Sequence, residues 1–81
     1  MVVIIRIIKV TAMEHHLLEV LLDNGTTVIL NMAARLGNIR FMALKDMAVF
    51  EDVDVSIDGQ FIRWGNKVEI SVSEIFYLAQ R

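Results

Sequence analysis

Between Phe41 and Trp64 the chain changes its hydrophobic period. Leu44, Met47 and Phe50 recur at helical spacing; Val53, Val55 and Ile57 then alternate with Asp52, Asp54, Ser56 and Asp58. Helical spacing buries one stripe of a helix, whereas alternation buries one face of a strand. The run closes on Phe61-Ile62-Arg63-Trp64, which holds the only Trp. A short chain with both periods is expected to fold as a mixed α+β domain around a shared core. Lys45-Asp46 interrupts the helical stripe, so two short helical turns fit residues 41–50 as well as one helix does.

Asn24-Gly25 is the clearest local signal. It predicts a two-residue type I′ hairpin, because that turn needs positive φ at both central positions and Asn-Gly supplies it at low steric cost. Leu18, Val20 and Leu22 then share one face, with Leu17, Glu19, Leu21 and Asp23 on the other. Residues 4–12 read as a preceding strand. Ile7 and Val10 differ in parity there, which fits either a bulge or an unsettled register. Glu14-His15-His16 reads as a turn, and residues 31–37 as one or two helical turns capped by Gly37.

Asp58-Gly59 and Gly65-Asn66 mark further turns. Ser71 followed by Glu74 has the spacing of a capping box and predicts a short helix over residues 75–80. The segments add up to one domain over residues 1–81. It is a mostly antiparallel sheet of five to six short strands with one or two short helices, including a short C-terminal helix.

A domain of 81 residues buries only about 60–65% of the surface that its unfolded chain exposes. Hydrophobic residues make up 56% of it, against about 45–50% in ordinary domains. The surplus predicts apolar surface left for a homo-oligomer or a small protein partner. Cysteine is absent, which excludes disulfides, thiolate metal sites and cysteine nucleophiles, and suits a reducing cytoplasm. Net charge is −2 and the eight basic residues are scattered, so no nucleic-acid surface is expected from this chain alone. Arg6 interrupts the apolar start Met1-Val2-Val3-Ile4-Ile5, which reads as strand rather than leader or membrane span.

No residue pattern calls for an enzyme, a cofactor or a metal. His15 and His16 are adjacent, and neighbouring side chains converge poorly on one ion. Asp52, Asp54 and Asp58 share strand parity, yet they lack the glycine and closing glutamate of a calcium loop. They read as a solubilising strand face, or as an acidic contact for a basic partner. Trp64 suits either the core or an interface anchor beside Arg63. Phe41 and Met42 suit a soft partner surface or the core under the helix. The candidate partner interface is therefore Asp54, Asp58, Arg63, Trp64, Phe41 and Met42.

A set of residues in order carries a resemblance. Arg6-Ile7-Ile8-Lys9-Val10, Leu17-Leu18-Glu19-Val20, Asp23-Asn24-Gly25 and Asn31-Met32 come first. Leu44-Lys45-Asp46, Phe50, Val53, Val55, Ile62-Arg63-Trp64 and Ile70-Ser71 follow. Across nearly its whole length the chain resembles the bacterial family catalogued as domain of unknown function 2442. The resemblance implies a small α+β domain on an antiparallel sheet, with no established activity or catalytic set. It implies an antitoxin-like partner of a small toxin-like protein. Longer members that append a helix-turn-helix segment imply an alternative, a homo-oligomeric ligand-binding or regulatory module. Family members often carry Asp where this chain has Asn31, and Pro-Asn-Gly where it has Gly65-Asn66-Lys67.

Overall fold

The computed structural model describes residues 4–79; Met1 to Val3 and the expected helix end at Gln80 lie outside them. Strands β1 (Ile7–Met13), β2 (Leu17–Leu22) and β3 (Thr27–Asn31) form one antiparallel sheet in the order β1-β2-β3. Strands β4 (Asp54–Val55), β5 (Phe61–Trp64) and β6 (Val68–Ser71) form a second, in the order β4-β5-β6. Between the sheets run 3₁₀ turns at Ala33–Arg35 and Ile39–Lys45 and a single-turn helix, α1 (Met47–Phe50). Helix α2 (Val72–Ala79) follows β6 directly. The fold is α+β, but its six strands make two sheets where one was expected.

The split has a local cause. β1 lies against β4 and β5, and Ile7 N–H donates to Gly59 C=O at 2.8 Å. The Gln60 side chain donates to Ile5 C=O at 3.2 Å. β4 is only two residues long, however, and the chain turns away at Ser56. A strand that short cannot extend a ladder along β1.

Each hairpin refines the sequence reading. The register shifts between Ile7 and Lys9, which brings Ile7 opposite Leu22 and leaves Val10 opposite Val20. That bulge lets both apolar residues serve the inner face despite their parity. The Asn24-Gly25 turn is not type I′. Gly25 alone takes positive φ, at 87°. Gly25 N–H closes on Leu22 C=O, Leu22 N–H on Thr26 C=O, and Asn24 Oδ1 accepts Thr26 N–H. A three-residue loop with one left-handed glycine meets the strand twist equally well. Gly37 does not adopt the left-handed conformation of a glycine cap, and only Ala33–Arg35 is helical in that stretch.

Asp46 splits the middle segment into two turns, as Lys45-Asp46 suggested. Its backbone is extended and its carboxylate accepts Ala48 N–H at 3.0 Å, capping α1. Ser71 Oγ accepts Glu74 N–H at 3.2 Å and starts α2, which begins at Val72 rather than at residue 75.

Leu18, Val20, Leu22 and Leu30 of the first sheet face Ile62, Trp64, Val68 and Ile70 of the second in a single core. Phe41, Leu44, Phe50 and Ile75 fill it from the turns and helices.

Gly59 marks the tightest junction. Its φ is +71°, and a Cβ there meets Arg6 Cβ at 2.9 Å and Ile7 backbone oxygen at 3.2 Å. Gly25 has φ +87° with nothing within 4 Å. Gly25→Ala is expected to cost about 1 kcal/mol of unfolding free energy from backbone strain alone. Gly59→Ala adds a clash with Arg6 Cβ and crowds the Ile7 carbonyl, and is expected to cost about 2–4 kcal/mol. Urea titration of both variants measures the difference; equal losses contradict the close approach.

Candidate interaction surface

The six candidate residues divide into core and surface. Trp64 is 1% exposed, stacks on Phe50 with ring centroids 6.1 Å apart, and donates its indole N–H to Phe50 C=O at 2.8 Å. Phe41 is 3% exposed. Both side chains therefore belong to the core and present no surface to a partner, because β5 alternation and the 3₁₀ turn point them inward. Met42, Asp54, Asp58 and Arg63 remain outside.

The three aspartates do not line one face. Asp58 sits in a β-turn that Gly59 N–H closes on Ser56 C=O. Its carboxylate accepts Ser56 Oγ–H at 2.6 Å and Gln60 N–H at 3.0 Å. Those donors, the Ser56 hydroxyl foremost, hold its pKa below the usual carboxylate range. The turn also inverts the expected alternation: Ser56 is buried and Ile57 points wholly into solvent. Asp52 and Asp54 instead border an open hollow of about 410 Å³ with Arg63, Gly65 and Asn66. Arg63 Nε pairs with Glu69 Oε2 at 3.2 Å across the β5–β6 ladder. A second hollow of about 230 Å³ adjoins it along Gly65 to Glu69. Among the described residues, no three His, Asp or Glu side chains gather as metal ligands.

The histidines part company. Both have positive φ, 61° and 58°, a region that His enters more readily than most side chains. His15 is exposed. His16 is not a solvated turn residue: its ring lies 4.8 Å from Phe50, and its Nε2 donates to Leu44 C=O at 2.9 Å. A proton on Nε2 is what that carbonyl requires.

Sequence reasoning missed most of the exposed apolar set. Ile39 is 87% exposed and Met42 46%, three residues apart on the outer face of the 3₁₀ turn. Beside them Arg40 bridges three elements. It makes a bidentate pair with Glu74 of α2, donates to Glu69 C=O of β6, and lies 5.0 Å over the Phe41 ring. That pairing lowers the Glu74 pKa and raises that of Arg40. Tyr77, Ile57, Ile8 and Ile29 are also largely exposed. The one signal for Ile39 was its place three residues before Met42, on the side opposite Phe41 and Leu44.

No helix among the described residues is long and apolar enough to cross a membrane. Comparison with protein-family models, curated proteins and solved structures gives no match.

Two measurements test this geometry. Trp64→Phe keeps an aromatic ring but strands the buried Phe50 carbonyl, so it is expected to cost about 1–3 kcal/mol in urea unfolding. A cost near zero contradicts the hydrogen bond. The second concerns pH. Asp58 and Glu74 have lowered folded pKa values, so the unfolded chain takes up protons first as pH falls. Their contribution is complete above the ordinary carboxylate range and disappears as pH drops through it and below. The wild type is expected to lose more stability between neutral and acid pH than an Asp58→Asn, Glu74→Gln double variant. Parallel curves contradict it.

Proposed function

We propose that this chain is a non-enzymatic protein-interaction module, most concretely an antitoxin-like partner of a small basic protein. The observation that carries the reading is the exposure of Ile39, Met42, Ile57 and Tyr77 on a chain with acidic Asp52, Asp54 and Asp58 at its surface. Isolated exposed apolar residues are ordinary, but this many on a small domain leave contact area for a partner. The acidic residues would speed encounter with a basic protein. The resemblance to the domain of unknown function 2442 family supports the same reading. The cytoplasm is the proposed compartment, since the chain lacks cysteine.

Affinity capture from nuclease-treated native lysate, with mass spectrometry of the eluate, tests it. A stoichiometric small basic protein is expected, lost in an Ile39→Asp, Ile57→Asp variant that keeps its thermal midpoint. Recovery of the chain alone from its own host's lysate overturns the antitoxin-like reading. It would favour the alternative, a homo-oligomeric ligand-binding or regulatory module, which the open hollow beside Arg63 also supports.

A further inference from the structure

We propose that the outer edge of β3 pairs antiparallel with β3 of a second copy, about a two-fold axis at Ile29. This assigns one partner surface within the interaction-module reading, and rests on it.

Leu22 N–H donates to Thr26 C=O and Met32 N–H to His16 C=O, on either side of the β2–β3 register. Even-numbered residues of β3 therefore bond to β2, because antiparallel ladders alternate. The odd-numbered residues Thr27, Ile29 and Asn31 point their N–H and C=O groups away from the sheet. All three are exposed, and no hydrogen bond engages their backbone groups among the described residues.

The other edges are treated differently. β1 is met by β4 and Gly59. On β6 the outward Glu69 carbonyl is taken by Arg40. Helix α2 lies against β3, yet Thr27, Ile29 and Asn31 stay exposed beside it, and no charge, proline or bulge interrupts Thr27-Val28-Ile29-Leu30-Asn31.

Charge and shape favour a second copy as occupant. Pairing about Ile29 sets Ile29 against Ile29 and Thr27 against Asn31, with no like charges opposed. It satisfies three outward donors and three outward acceptors from each chain. Glu19, the neighbour of Ile29 on β2, lies about 14 Å from its symmetry mate across three strand spacings. That exceeds the screening length of about 8–10 Å. The same axis brings the Asp23 turn of one copy beside the Ala33–Arg35 turn of the other, whose Arg35 also donates to Leu78 C=O at 3.4 Å. Ile29, 49% exposed in the single chain, is covered at the seam.

Amide exchange by NMR with light-scattering mass tests this, on the full chain at about 1 mM and at a hundredfold dilution; an association of about 6 kcal/mol leaves roughly an eighth of the chains free at the higher value and most of them free at the lower. Expected is a mass of twice 9.2 kDa at high concentration. The amides of Thr27, Ile29 and Asn31 should then exchange about fivefold more slowly than in dilute solution, in step with the free-chain fraction. Val28 and Leu30 should not change. Ile29→Lys places two cations across the axis and should return the monomer mass with its thermal midpoint kept; Thr27→Pro removes one outward donor as an independent check. A monomer at about 1 mM, or a dimer whose odd-numbered amides stay unprotected, overturns the pairing. Capture of a different protein by a chain with those amides free overturns it too, while leaving the interaction-module reading standing.

Discussion

The contact between Phe50 and Trp64 holds the two halves of this fold together. Trp64 comes from the second sheet and Phe50 from the end of α1. The rings stack, and the indole N–H satisfies the carbonyl of the residue it stacks on. His16, from the β1–β2 turn of the first sheet, also packs on Phe50 and anchors to Leu44 C=O. One buried ring thus meets both sheets. Truncating such an aromatic typically costs about 3–5 kcal/mol. The exposed Arg40–Glu74 pair is the kind of contact worth about 0–1 kcal/mol. Aromatic burial decides where the elements sit, and the ion pair trims the fit.

Two adjacent histidines in the left-handed region carry backbone strain, of order 1–3 kcal/mol each at the upper end for non-glycine residues. The contact of the His16 ring with Phe50 and its bond to Leu44 C=O offset part of it. Gly59 is the matching constraint between the sheets. Its missing side chain leaves room for Arg6 Cβ and lets the Ile7 backbone approach closely enough for the Ile7–Gly59 hydrogen bond.

The apolar surplus is distributed unevenly. Alternation places Leu18, Val20, Leu22, Ile62, Trp64 and Ile70 inside, and what does not fit appears at turns and on the outer sheet face. Ile39 and Ile57 stand out because turns, not strands, carry them. Their exposure, together with an uncharged strand edge, places the chain's unspent contact capacity on its surface rather than in a pocket. The hollows beside Arg63 are open and of mixed charge, and among the described residues no three acids or histidines gather there.

What the sequence by itself determined was the α+β class, the period switch after Phe50, the inward face of β2, and the Ser71 start of α2. These depend on residues close in the chain, whose spacing dictates which side chains share a face. Tertiary structure decided the rest. A two-residue β4 divides the strands into two sheets, Trp64 and Phe41 go to the core, and His16 leaves solvent for Phe50. Asp58 serves its own turn and sends Ile57 outward. Each of these is settled by a partner remote in sequence or by a local side-chain hydrogen bond that competes with strand alternation. Spacing alone encodes neither.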